Sequence, residues 1–184
     1  MKWFGLLVLA GTAIHYGYHL YHHRPWDLLW ACHVAAALVG IGCLLDWPPC
    51  VGIGLLWLMA GVPLWVLDLV TGGEMTPTSI LTHLGGLAVG MSYVGVRGMS
   101  AGSWWQAGLA LIALQLLCRW VTPASENVNI AFTVYKGWER WFPSYFWYWL
   151  MLTIVFALVF ALSEYGLRWL FGPNQSSGVP EANS

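Results

Sequence analysis

The chain has 184 residues, of which 59% are hydrophobic and only 8% are charged. Soluble domains have about 25% charged residues, so this composition excludes an ordinary water-soluble globule and indicates an integral membrane protein. The formal net charge of −1 and the lack of a basic stripe exclude nucleic acid as an expected partner.

Long uncharged runs, separated by breaks rich in Pro and Gly, predict the transmembrane helices. Each run is close to the length of about 20 apolar residues that crosses a hydrocarbon core. The predicted spans are 3–21, 28–45, 50–67, 78–96, 104–120 and 145–168. Fourteen tryptophans, several of them near span ends, fit aromatic belts at the membrane interfaces.

These spans predict an all-α transmembrane bundle of six helices over residues 1–171. The first run is expected to be a retained helix, because no small-residue cleavage site of a signal peptide follows it. Six crossings would place both termini on the same side of the membrane. Residues 172–184 are polar and rich in Pro and Gly, and we expect a flexible tail or one that lies along a partner.

Polar side chains at membrane depth are costly and are therefore candidates for function, and histidines are the clearest set. His15, His19 and His22 follow an i, i+4, i+7 spacing along one face of the first helix, with His23 at its end. We expect His19, His22 and His23 to lie at the water interface, where they help to end the helix.

The other histidines lie deeper and have two possible roles. His33 lies about two turns into the second predicted helix, and His83 lies early in the fourth, after Thr78 and Ser79. With His15, two or three of them could bind haem iron, a pigment or another transition metal in the core. No H-x-x-x-H pair joins two deep positions, so no metal site is assigned and the cofactor stays open. Alternatively, one histidine is a general base for a nucleophile in a lipid-accessible cavity.

Cys32 is the candidate nucleophile among four cysteines that form no C-x-x-C pair. A thiol attacks an acyl ester as the thiolate, and a nearby imidazole can take its proton. Adjacent residues on a helix point about 100° apart, so His33 is a poor partner for Cys32. His83, from another helix, is the better candidate.

A long connection follows the fifth predicted helix and contains charged, amide and aromatic side chains. Such a length in a compact bundle is usually functional or folded back onto the protein. We expect residues 123–143 to be ordered over one mouth of the bundle, with Glu139 and Arg140 at the interface. The aromatic side chains expected to anchor it are Phe132, Tyr135, Trp138 and Trp141.

Four segments carry a resemblance to a known family: Leu-Leu-Trp-Ala-Cys at 28–32, Leu-Thr-His-Leu at 81–84, Asn-Val-Asn-Ile-Ala-Phe at 127–132 and Trp-Phe-Pro-Ser-Tyr-Phe at 141–146. In order and character they resemble the YwaF-like bacterial integral membrane family and its eukaryotic transmembrane acyltransferase relatives. Trp30 stands where the family motif has His. The resemblance implies a six-helix enzyme that takes a fatty acyl chain from a phospholipid onto Cys32 and passes it to a lysophospholipid.

The leading hypothesis is therefore a lipid acyltransferase or acyl hydrolase. Cys32 is its nucleophile, His83 its general base, and Asn127 or Asn129 an orienting or oxyanion-stabilising amide. Its partners are membrane lipids. One alternative is a non-catalytic accessory subunit that contacts other membrane subunits through its Trp-rich faces, long loop and tail. The other is a haem- or pigment-binding protein that uses His15, His33 and His83.

Overall fold

The structure is a computed structural model that describes residues 1–73 and 75–172. Its described part is helical and contains no strand, which confirms the all-α part of the predicted fold class. Six α-helices follow one another along the chain: α1 (Lys2–Tyr21), α2 (Ala31–Leu45), α3 (Pro48–Val70), α4 (Gly86–Arg97), α5 (Ser103–Val121) and α6 (Tyr145–Phe171). The expected tail lies outside the described residues, except for Gly172.

The second helix begins later than predicted. Pro25–Leu29 forms a 3-10 turn, and Trp30, with ψ of 135°, turns the chain into α2. The proline fixes φ in the first position of the turn, and the Trp30 amide donates to the Asp27 carbonyl at 3.2 Å. Cys32 and His33 consequently lie in the first turn of α2, and the prediction that His33 lies two turns inside the helix was wrong.

The fourth predicted span begins with a short π-helix, Leu81–Gly85, that runs directly into α4. Both the Thr82 hydroxyl and the His83 Nδ1 donate to the Ser79 carbonyl, at 2.9 and 2.8 Å. A π-helix widens the turn and is often found where a side chain must be aimed at a functional site. Here it carries His83 toward α1 and α2.

Helices α2 and α3 approach each other closely because glycines line their contact. A Cβ atom built on Gly54 would lie 2.6 Å from the Ala35 carbonyl oxygen, and one on Gly42 would lie 2.8 Å from the Val51 amide nitrogen. Close backbone approach through small residues is the usual packing of helices in membranes. It fixes α2, which carries Cys32 and His33, against α3.

Two of the described helices, α3 and α6, are long and apolar enough to cross a membrane, whereas α2 is a shorter apolar helix. Helix α6 also exposes large hydrophobic side chains, including Leu158 at 58% and Leu162 at 70%. An apolar surface of this kind indicates contact with lipid or with another protein, because water would be an unfavourable solvent for it.

The long connection packs against the start of α2, but not through the side chains expected. Val128, Asn129 and Ala131 are buried. Phe132 is half-buried, and Glu139 and Arg140 are exposed as expected. The other three aromatic side chains that were expected to anchor the segment are exposed: Tyr135, Trp138 and Trp141. The buried Asn129 amide ties this segment to the start of α2, and Trp138 in addition contacts Tyr148 of α6 edge-on while still half exposed.

Candidate functional site

Four buried histidines from α1, α2 and the π-helix meet in the interior and are called here the histidine cluster: His15, His19, His33 and His83. Each is at most 6% exposed. Nε2 of His15 lies 2.9 Å from Nε2 of His33 and 3.2 Å from Nε2 of His19. The rings of His33 and His83 are 5.8 Å apart, centroid to centroid.

His19 does not lie at the water interface as predicted. It is 4% exposed, whereas His22 and His23 are exposed, as expected for side chains at a helix end. The i, i+4 spacing places His19 one turn after His15 on the buried face of α1. The chain therefore does contain an H-x-x-x-H pair at two deep positions.

Backbone carbonyl groups orient two of the four rings. Nδ1 of His33 lies 2.6 Å from the Asp27 carbonyl oxygen, and Nδ1 of His83 lies 2.8 Å from that of Ser79. A carbonyl oxygen only accepts, so Nδ1 carries the proton in both rings. Their Nε2 atoms consequently hold a free lone pair when the rings are neutral.

Side-chain oxygens lie close to the Nδ1 atoms of the other two rings. Nδ1 of His15 lies 2.7 Å from the Thr78 hydroxyl oxygen. Nδ1 of His19 lies 3.1 Å from a carboxylate oxygen of Asp27, which also pairs with Arg24 at 3.4 Å. This contact of His19 is not aligned as a hydrogen bond. The sequence analysis missed Asp27, although its place in the short linker between two histidine-bearing helices was a usable signal.

Cys32 lies beside the cluster. Its thiol sulfur and one nitrogen each of His33 and His83 all lie within 4.8 Å of one another. Cys32 is half-buried. A Cβ atom built on Gly61 of α3 would lie 3.6 Å from the Cβ atom of Cys32. Gly61 of α3 and Cys32 of α2 are therefore close neighbours at the contact between these two helices.

His83 is held in place but keeps one nitrogen free. Trp65 stacks on its ring at 4.5 Å between centroids and 13° between planes. Nε2 of His83 is buried and has no hydrogen-bond partner among the described residues. A buried polar atom without a partner is uncommon and indicates a site for a ligand, an ion, water or a reacting group.

Neither predicted amide is available to stabilise an oxyanion. Asn127 is half-buried, and its side chain bonds to the backbone of Phe132 and Thr133 in its own loop. Asn129 accepts from the Ala31 amide at 2.8 Å and donates to the Leu29 carbonyl at 2.7 Å. Because its polar atoms are engaged, Asn129 positions the start of α2 and does not face a reacting carbonyl.

The histidine geometry bears on one ligand pair of the haem hypothesis, His15 and His33. The two axial ligands of a haem iron bind from opposite faces of the porphyrin. Their nitrogens are therefore separated by two bonds of about 2 Å each, or about 4 Å in all. The Nε2 atoms of His15 and His33 are 2.9 Å apart. This pair cannot enclose a porphyrin ring.

A separate apolar groove of about 290 Å³ lies between α5 and α6, with Trp104, Leu111 and Phe156 in its walls. None of the residues proposed for chemistry lines it. This groove is not the largest cleft among the described residues, and no titratable side chain lines it. The histidine cluster and Cys32 are therefore the better candidate for a chemical function.

Comparison with known proteins adds no relative. No protein-family model, curated protein or solved structure matches the chain. The resemblance to the YwaF-like family consequently stays a prediction, and the function must be argued from the site itself.

Proposed function

We propose that this chain is a multi-pass membrane enzyme that transfers or hydrolyses the fatty acyl groups of membrane lipids through Cys32 and His83. The observation that carries the proposal is their proximity: the Cys32 sulfur and a His83 nitrogen lie within 4.8 Å, on separate elements. This distance allows one bridging water or a small side-chain adjustment. Catalytic hydrogen bonds are often longer in a ligand-free state than in the reacting complex.

The surroundings of His83 support its role as the base. The Ser79 carbonyl holds the proton on Nδ1, so the unpartnered Nε2 can accept one. Trp65 restricts rotation of the ring. A nucleophile, a base and a third group that orients the base are the parts of a general triad.

The proposed reaction has two halves. The Cys32 thiol attacks the carbonyl carbon of a lipid acyl ester while its proton passes to His83, because a free thiolate would be costly in an apolar interior. The ester C–O bond breaks, and the lysolipid leaves with that proton. A hydroxyl group of an acceptor lysolipid, or water, then attacks the thioester carbonyl carbon and gives its proton to His83. The C–S bond breaks, and the leaving sulfur takes that proton from His83, which restores the Cys32 thiol.

A six-span arrangement in the membrane is part of this proposal. Its support includes the positions of charged pairs near helix ends: Asp46, after α2, pairs with Arg97 at the end of α4 at 2.7 Å. Glu164 of α6 accepts the backbone amides of Gly102 and Trp104 at the start of α5. If successive helices cross the membrane in opposite directions, both pairings would lie at the same membrane face. The substrate would then reach Cys32 from the surrounding lipid.

An acyl-transfer assay tests the proposal. The purified chain in lipid nanodiscs is incubated with phospholipid carrying a labelled acyl chain and with unlabelled lysophospholipid. Cys32→Ser should abolish transfer and hydrolysis, and His83→Gln should lower the rate by about 10²–10⁴-fold. Cys50→Ser is the matched control, because a serine there can keep the bond that the Cys50 thiol donates to the Leu38 carbonyl. Full activity in Cys32→Ser, or no activity in a folded wild-type chain, would contradict the proposal.

A further inference from the structure

We infer that His15, His19 and His33 form a binding site for a divalent transition-metal ion of the zinc class. The inference does not depend on the proposed acyl chemistry, since neither Cys32 nor His83 is among the three ligands. It begins from the approach of three imidazole nitrogens: Nε2 of His15 lies 2.9 Å from that of His33 and 3.2 Å from that of His19.

Hydrogen bonding alone leaves this group unsatisfied. His33 presents an Nε2 lone pair, because its Nδ1 proton is donated to the Asp27 carbonyl. The Asp27 carboxylate lies 3.1 Å from Nδ1 of His19, and its negative charge favours a proton on that nitrogen although the contact is not aligned as a hydrogen bond. Nε2 of a neutral His15 carries at most one proton, which can be given to one of its two neighbours. A single cation between the three nitrogens would satisfy all three lone pairs.

The spacing is close to that of a metal site. Zinc–nitrogen bonds of about 2.0–2.1 Å in a tetrahedral arrangement place the ligand nitrogens about 3.3 Å apart. The two measured separations are only a few tenths of an ångström shorter. The ligand atoms of all three residues lie within 4.8 Å of one another. Small side-chain rotations would therefore open the group around an ion, with no change in the backbone.

The groups behind the ligands also fit a metal. Histidines that bind metals usually donate their other N–H to a carboxylate, a carbonyl or another oxygen, which fixes the ring and its tautomer. Here the Nδ1 atom of each ring lies next to an oxygen: the Thr78 hydroxyl for His15, the Asp27 carbonyl for His33, and the Asp27 carboxylate for His19. That carboxylate also supplies negative charge close to the buried ion, which reduces the cost of burying it.

The donor set defines the class of ion. Three imidazole nitrogens suit zinc, copper, iron or nickel, and they do not suit magnesium or calcium, which prefer oxygen. Three protein ligands leave a fourth position for water or a substrate oxygen, as in zinc sites that take part in reactions. Because His33 also lies within 4.8 Å of Cys32 and His83, the ion would be adjacent to the proposed acyl site.

The test measures metal in the full chain purified without a polyhistidine tag. Elemental mass spectrometry should find about one zinc-class ion per wild-type chain after dialysis against zinc and then against metal-free buffer. His15→Gln and His19→Gln should each reduce the metal content per chain by at least about tenfold, because each variant removes one of the three ligands. His22→Gln, an exposed histidine on the same helix, should retain the full content.

A second measurement needs no variant and so does not depend on how the variants fold. Zinc added to the chelator-treated wild-type chain should raise its thermal midpoint, because an ion that binds only the folded state stabilises it. Magnesium should not. Absence of both a bound ion and a zinc-induced shift would overturn the inference.

Cys32→Ser separates the two proposals. It should retain the ion even though it forms no acyl thioester. If Cys32→Ser loses the ion while His15→Gln retains it, the ion is held by Cys32, His33 and His83, and the three-histidine site is refuted. An ion retained alongside an absent acyl activity would refute the acyl proposal alone.

Discussion

At the scale of single residues, Asn129 joins the long connection to the first turn of α2. Its side chain pairs the Ala31 amide and the Leu29 carbonyl, and its own backbone has a left-handed φ of 54°. One side-chain amide thus connects Asn129 to two backbone groups that lie 98 and 100 residues away in the sequence. Cys32 follows directly, so the orientation of the proposed nucleophile depends on this contact.

Asn129→Ala should destabilise the chain strongly, because two backbone groups at the start of α2 lose their partner at roughly 1–3 kcal/mol each. Asn127→Ala is a matched control. Asn127 also has a left-handed φ, of 43°, but it is only half-buried and its bonds with Thr133 are exposed, so water can replace them. Thermal unfolding in one detergent should show a clearly larger loss for Asn129→Ala. Equal losses would mean that only the backbone conformation matters at both positions.

Trp65 provides a second test at this scale, since it restrains the ring of His83. Trp65→Leu should lower kcat for acyl transfer by about 10–100-fold through misplacement of the base, with a smaller effect on KM. Trp65→Phe keeps an aromatic ring and should lose less. An unchanged kcat in Trp65→Leu would contradict the role given to the stacking.

The sequence located part of the site. His15, His33 and His83 were predicted as deep residues because polar groups are rare within apolar runs. His19 was misassigned because it lies near a helix end, where exposure is the usual state. It is buried because it shares the inward face of α1 with His15, one turn earlier, and because the linker residue Asp27 lies 3.1 Å from its ring.

At the scale of helices, the contact between α2 and α3 depends on small residues. Gly54→Ala would place a methyl group against the Ala35 carbonyl and should cost roughly 1–3 kcal/mol, because both neighbouring groups belong to a close-packed backbone contact. Gly108→Ala, on α5 with open space around it, is the control and should be neutral or slightly stabilising. Comparable thermal midpoints for the two variants would contradict the close approach.

The uncharged runs predicted the existence and order of the helices well, because span length is a property of composition. The start of α2 and the π-helix could not be predicted in the same way. The 3-10 turn at Pro25–Leu29 runs from the polar break into the apolar run that begins at Leu28, and Leu81–Gly85 has the composition of an ordinary helix. Both features change the direction of site residues without changing hydropathy.

At the scale of the whole molecule, six crossings predict a definite sidedness. Cysteines introduced at Lys2, Gly98 and Gly172 in a chain whose four native cysteines are replaced should react with an impermeant thiol reagent from one side of sealed vesicles. A cysteine at Lys136, in the connection between α5 and α6, should react only from the other side. Lys2 and Gly172 labelled from opposite sides would rule out six crossings.

The central claim is that Cys32 carries an acyl group during the reaction. The most direct measurement is the intact mass of the purified chain after incubation with a phospholipid of defined acyl length. The account predicts a mass increase equal to that acyl group, removed by hydroxylamine as a thioester, mapped to Cys32 and absent in Cys32→Ser. An unmodified chain in lipid that supports its fold, or an adduct that persists in Cys32→Ser, would contradict it.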